Sequence, residues 1–233
     1  MTFYRSNALL EKLSKVDTFF VPKEESWQLI YSDKNYNPIL QLNVAVGDES
    51  KISNFPRLFE NDGGNLVVTG PDSFELQWWH KGNYECFNGK SLYDEYFKRS
   101  LVIESGITVK PFNKYSSSYY HDWQSKQKFT GGVTDVDALR LDNNGKVIEI
   151  MEIKRSRIPV KRWRPYSADR GGYEILSNLA ELIGCKFTTI YYHFDPSISI
   201  ENTDDLLFLD VKKNFNFTFL KFGNIENLIK FEY

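Results

Sequence analysis

The segment from Gly132 to Ser156, G-V-T-D-V-D-A-L-R-L-D-N-N-G-K-V-I-E-I-M-E-I-K-R-S, decides how this chain is read. It divides into two strand-like runs around Asn144-Gly145, the dipeptide favoured in a two-residue type I′ hairpin loop because both central positions take positive φ. With those two residues as the loop, Asn143 pairs with Lys146. Counting outward then sets Asp137 opposite Glu152 and Asp135 opposite Lys154. Opposed side chains on a sheet have Cβ atoms about 5 Å apart, so two carboxylates and an amine are expected in one patch. Leu139, Leu141, Ile148 and Ile150 share that face nearer the turn and give the patch an apolar floor. Carboxylates held this close repel, and a divalent cation is the simplest way to offset the repulsion. The pattern predicts a metal site.

At these residues the sequence resembles the PD-(D/E)XK nuclease superfamily, which has the restriction-endonuclease-like fold. The matching residues are Asp137 and, across the hairpin, Glu152-Ile153-Lys154; Val136 stands where the family usually has Pro. The resemblance extends from about Cys86 to Phe194. It implies an α/β (mixed α+β) core in the order helix, strand, strand, strand, helix, strand. It also implies Mg²⁺, replaceable by Mn²⁺, held by Asp137, Glu152 and the Ile153 carbonyl, with Lys154 beside the attacking water. Hydrolysis in such enzymes generally leaves a 5′-phosphate. The acidic residue that the family often carries on its first helix corresponds to Glu95, with Glu104 as the alternative. A homodimer is implied where both strands of a duplex are cut. Asp135, on the face of Asp137, is expected to pair with Lys154 or to assist a second cation.

The rest of the chain fits that order. Residues 1–85 read as a β-rich N-terminal lobe for target recognition or dimerisation, with strand patterns at S-W-Q-L-I-Y-S, I-L-Q-L-N-V-A-V, N-L-V-V-T and S-F-E-L-Q-W-W. Residues 86–233 read as the nuclease-like domain. A helix is expected over residues 91–105, a strand over 107–112 and a helix over 172–183 with Gly184 as its stop. K-F-T-T-I-Y-Y-H-F follows as a central strand, then two further strands and a short closing segment.

Composition narrows the chemistry. A hydrophobic content of 41% with 26% charged residues is that of an ordinary soluble globule, and no run is apolar enough to span a bilayer. The N-terminus carries charges where a signal peptide is apolar, so a cytoplasmic location is expected. Cys86 and Cys185 are expected to be reduced and buried. The three histidines show no zinc spacing, and neither a G-x-S-x-G elbow nor a Walker loop is present.

The net charge of −2 argues against a wholesale basic nucleic-acid binder, but the charge is unevenly placed. From Met151 to Arg170 there are seven basic residues, Lys154, Arg155, Arg157, Lys161, Arg162, Arg164 and Arg170, against Glu152 and Asp169. Arg155, Arg157, Lys161, Arg162, Arg164 and Arg170 are expected to hold phosphates, with Trp163 or Tyr166 stacking on an unpaired base. The reading is a Mg²⁺-dependent endonuclease whose partner is DNA rather than RNA. Its alternatives are a non-catalytic nucleic-acid-binding or assembly module, an RNA-directed nuclease, and an enzyme acting on a small phosphate ester.

Overall fold

The computed structural model describes residues 7–58, 62–70, 73–80, 83–88, 131–195 and 200–233. The expected helix at 91–105, with Glu95 and Glu104, and the expected strand at 107–112 lie outside the described residues. The fold is mixed α/β, with two six-stranded mixed sheets and few helices among the described residues. The chain forms two compact units. One comprises Met1–Arg5 and Pro22–Asp135, the other Ser6–Val21 and Val136–Tyr233. The division thus falls between Asp135 and Val136 rather than near residue 86, and the N-terminal helix belongs to the second unit.

The second unit opens with α1 (Ala8–Leu13) and β1 (Phe19–Phe20). Asn7 caps α1 by accepting the Leu9 and Leu10 N–H groups, and Leu9 and Leu13, one turn apart, are both wholly buried. The first unit follows, with β2 (Ser26–Ser32), β3 (Pro38–Val46), β4 (Asp62–Gly70), β5 (Ser73–His80), β6 (Asn83–Asn88) and β7 (Val133–Asp135). Its sheet order is β6-β5-β4-β3-β2-β7, with only β3 and β4 parallel. Two-residue alternation sets Trp27, Leu29, Tyr31, Leu40, Leu42, Val44, Leu66, Val68, Phe74, Leu76 and Trp78 into one core. On the other face the Gln28 and Gln41 amides donate to the Pro56 carbonyl, so a polar ladder there anchors a covering segment.

Past Asp135 the second unit resumes with β8 (Ala138–Leu141), β9 (Val147–Ser156), α2 (Arg170–Ile183), β10 (Lys186–Asp195), β11 (Ile200–Lys212), β12 (Asn216–Gly223) and α3 (Ile225–Lys230). The sheet order is β1-β8-β9-β10-β11-β12. β9 and β10 are parallel and joined through α2, a crossover unit, whereas the other pairs are antiparallel. One face carries Ala138, Met151, Ile153, Ile190, Tyr192, Leu206 and Phe208, packed with Leu9, Leu13 and Leu228 of α1 and α3. Truncating a wholly buried leucine such as Leu9 to Ala costs about 2–5 kcal/mol. α2 covers the other face, against β9, β10 and β11. It ends where Gly184 takes the left-handed conformation, φ 71°, and its N–H closes the last turn. Its buried stripe is Tyr173, Ile175, Leu176, Leu179 and Ala180, whereas Leu182 is 61% exposed.

Candidate active site

The hairpin that organises the site closes differently from the type I′ expectation. The Asp142 N–H bonds the Lys146 carbonyl at 2.9 Å, leaving a three-residue loop in which only Gly145 has positive φ, 78°. The Asp142 carboxylate secures the loop by accepting the Asn144 and Lys146 N–H groups. This loop displaces the pairing by one residue, and a bulge between Arg140 and Leu141 takes it back. Beyond the bulge Arg140 faces Glu149, Leu139 faces Ile150 and Ala138 faces Met151. The register at the far end is therefore the counted one. Continued by one residue it brings Asp137 beside Glu152. Asp137 lies just before β8, and its Oδ2 accepts the Ile153 N–H at 2.7 Å. In an extended strand a residue's N–H and C=O point to the same side, so the Ile153 carbonyl also faces the Asp137 edge.

Asp135 does not join this group in the register expected. It pairs with Leu29 of β2 in the sheet of the first unit, while the β8–β9 ladder begins only at Ala138. The chain changes sheets at Val136 and Asp137, which ends the pairing before position 135 is reached. Asp135 is thus not opposite Lys154.

Glu152 and Lys154, two residues apart, share the α2 face of β9. Glu152 is 7% exposed; its Oε1 lies 2.6 Å from Lys154 Nζ, and its Oε2 is buried with no hydrogen-bond partner within the protein. Lys154 Nζ also lies 3.5 Å from Asp169 Oδ2, at the start of α2, and 5.6 Å from the centre of the Tyr173 ring. Burial alone would lower the Lys154 pKa, but Glu152, with Tyr173 and Asp137, outweighs it and holds the ammonium above the ordinary lysine range. At neutral pH Lys154 is a fixed positive charge. The Tyr173 hydroxyl is buried without a partner, and burial, reinforced by Glu152, Asp169 and Asp137, raises its pKa, so it stays protonated. Thr189, the β10 neighbour of Glu152 in register, adds another buried and unpartnered hydroxyl.

Neither Asp169 nor Tyr173 was expected here from sequence. The signal available was topological. In a parallel crossover the helix begins over the C-terminal end of the strand that feeds it, so the first turn of α2 must return towards Lys154.

The basic segment after β9 divides into exposed and buried parts. Arg157, Lys161, Arg162, Arg164 and Arg170 are exposed; Arg155 is half-buried, with its guanidinium 5.5 Å from the Phe194 ring centre. Arg170 pairs with the buried Glu174 at 3.4 Å. Trp163, expected to face nucleic acid, is 0% exposed and stacks on Tyr191, with ring centres 4.3 Å apart and planes 6° from parallel. It packs with Val160, Leu207 and Leu209, so it anchors the loop rather than presenting a ring to a base. Tyr166 is 43% exposed. Of the two cysteines, Cys86 is exposed rather than buried, and both are free thiols.

The opposite face of the hairpin carries a separate buried ion pair, Arg140 with Glu149 at 3.0 Å. Arg140 also donates to the carbonyls of Leu228 and Ile229, and Thr188 and Tyr233 donate to Glu149. Every strong group in this network has partners, as a structural tie of the C-terminal segment requires.

Among the described residues no three His, Cys, Asp or Glu side chains gather in ligating geometry. A cation here would rest on Asp137 and Glu152, with a backbone carbonyl and water completing an oxygen shell. The buried, unpartnered Glu152 Oε2 and the Asp137 carboxylate beside it fit such a hard cation. No protein-family model matches the chain, and no curated protein matches it at a significant level. No helix among the described residues is long and apolar enough to cross a membrane.

Proposed function

We propose that the chain is a metal-dependent phosphodiesterase of the PD-(D/E)XK kind, an endonuclease that hydrolyses DNA in preference to RNA. The observation that carries the reading is the meeting of Asp137, Glu152 and Lys154 at one end of the hairpin, with Glu152 Oε2 buried and unpartnered. Leaving a buried acceptor without a donor costs about 1–3 kcal/mol, and more for a charged group. A bound cation would offset that cost.

Asp137, Glu152 and the Ile153 carbonyl would hold Mg²⁺, or Mn²⁺ in its place. Bound there, the ion would supply Lewis-acid activation of the phosphate and a lowered pKa for its water. The chain's own residues have narrower tasks. The bond from the Ile153 N–H fixes the direction of the Asp137 carboxylate. Lys154, charged at neutral pH, orients the nucleophile and stabilises developing negative charge, and does not act as the base. Arg157, Lys161, Arg162, Arg164 and Arg170 supply exposed positive charge for a phosphate backbone next to the site.

One observation favours a second reading. The 2.6 Å contact with Lys154 neutralises Glu152 without any cation, as suits a nucleic-acid-binding module that does not cleave. Incubating the protein with supercoiled plasmid, single-stranded DNA and RNA, each with Mg²⁺, Mn²⁺ or EDTA, separates the readings. Cation-dependent nicking of plasmid supports the nuclease; retention of DNA without cleavage under every condition supports the module.

A further inference from the structure

The contact that neutralises Glu152 raises a physical problem for the metal site. A cation ligated by Glu152 and the Lys154 ammonium draw on the same carboxylate charge, and the two positive groups repel across a few ångströms. Lys154 must lean away from Glu152 when a cation arrives, and it needs another partner to do so, because a half-buried ammonium without a counter-charge is unfavourable.

Asp169 meets that need. Its Oδ2 is already 3.5 Å from Lys154 Nζ, so the ammonium has a second carboxylate within ion-pair distance. Asp169 holds the N-cap position of α2, where aspartate is among the best residues, yet its side chain makes no cap hydrogen bond to the helix. Its carboxylate is within ion-pair distance of Lys154 instead. Tyr173, one turn further along α2, is 2% exposed and places its ring 5.6 Å from the same ammonium. The Asp169 side chain keeps 28% of its exposure, so the lysine moves towards the open end of the site and not into the core.

We infer that Asp169 is a positioning residue for Lys154, the partner that receives its ammonium when Glu152 engages a divalent cation. The inference rests on the metal-site reading above and goes beyond it, since it makes cation affinity depend on a residue that is not a ligand.

The test is a double-mutant cycle read by calorimetric titration of Mn²⁺ into the nucleic-acid-free protein. Asp169→Asn is expected to weaken Mn²⁺ binding by about tenfold or more, the range for a lost supporting contact at a metal site. Asp169→Glu restores affinity, because the carboxylate is kept. Lys154→Met removes the competing ammonium, and on that background adding Asp169→Asn leaves the affinity of Lys154→Met unchanged. Asp169→Ser, which retains a good N-cap residue, stands in if the asparagine variant does not fold. Wild-type affinity in Asp169→Asn overturns the inference. So does an equal loss from Asp169→Asn with and without Lys154, which would make Asp169 a ligand or a distant charge. A wild-type protein that binds no Mn²⁺ overturns the metal-site reading itself, whereas the first two outcomes leave that reading standing.

Discussion

Asp137 and Ile153 are joined across the hairpin: Oδ2 of the aspartate accepts the isoleucine N–H at 2.7 Å, so a side chain continues the ladder where backbone pairing stops. The same bond aims the carboxylate along the edge shared with Glu152. Structure and proposed chemistry can be separated at this residue. Asp137→Asn keeps an acceptor for the Ile153 N–H but removes the charge. It is expected to unfold in urea near the wild-type midpoint while losing Mn²⁺ affinity by at least about tenfold. Asp137→Ala, which orphans the N–H, is expected to lose about 1–3 kcal/mol of stability as well. Urea titration and calorimetry on the same preparations check both.

The raised pKa of Lys154 has a defined sign in stability. The folded chain holds this proton to a higher pH than the unfolded chain, so the contribution is fully present below the ordinary lysine range, about 10.4. It is lost as pH rises through the folded value. Tyr173, also raised, adds to the slope from about pH 10 upward. Urea midpoints measured from pH 7 to 11 are expected to hold level and then fall. Lys154→Met is expected to fall less steeply over the alkaline part.

Trp163 and its arginine neighbours are expected to separate stability from binding. Trp163→Ala empties a wholly buried stack on Tyr191 and is expected to cost about 3–5 kcal/mol. Arg162→Ala and Arg164→Ala, both at exposed positions, are expected to leave the urea midpoint nearly unchanged. Each is expected to reduce the slope of log K against log salt for duplex binding by about 1, equally on unrelated sequences. Ca²⁺ in place of Mg²⁺ keeps the duplex intact during the titration. Unchanged affinity and slope in both variants would remove this segment from the substrate track.

What could be read from sequence follows the range of the interactions involved. The strands of the first unit were legible because Trp27, Leu29 and Tyr31, or Leu40, Leu42 and Val44, alternate on one face, a pattern set by neighbours along the chain. α2 was legible from its apolar spacing and from Gly184, although Leu182 fell outside the buried stripe. At the hairpin two departures cancelled. The loop takes one more residue than expected, the bulge at Arg140 and Leu141 restores the count, and Asp137 reaches Glu152 all the same.

Other features depend on partners remote in sequence. Trp163 is buried because Tyr191 lies beneath it, Asp135 pairs with Leu29 instead of extending the β8–β9 ladder, and Asp169 reaches Lys154 because the crossover returns there. A window of neighbouring residues contains none of these partners. The division between Asp135 and Val136 was hidden for the same reason. It requires β7 to join a sheet whose other strands lie before residue 89.

The Arg140–Glu149 pair provides a control remote from the proposed chemistry. Glu149 is 0% exposed and holds Arg140, Thr188 and Tyr233, so Glu149→Ala leaves a buried guanidinium without its counter-charge. A loss of about 3–5 kcal/mol is expected. Where the variant remains folded at low temperature, its Mn²⁺ affinity is expected to match the wild type, since Glu149 faces away from Glu152. Chemical denaturation and calorimetry measure the two quantities.

Metal-dependent phosphodiester hydrolysis by Asp137, Glu152 and Lys154 is the proposal on which the others rest. Its most direct measurement is the single-turnover rate of nicking of supercoiled plasmid, with enzyme in excess, for wild type, Glu152→Gln and Lys154→Ala, in Mg²⁺ and in EDTA. Nicking by the wild type is expected in Mg²⁺ and none in EDTA, with rates lower by about 10²-fold or more in both variants, the range for a lost acid/base or charge-stabilising group. Nicking that persists in EDTA, or that proceeds at the wild-type rate in Glu152→Gln, would contradict the proposal.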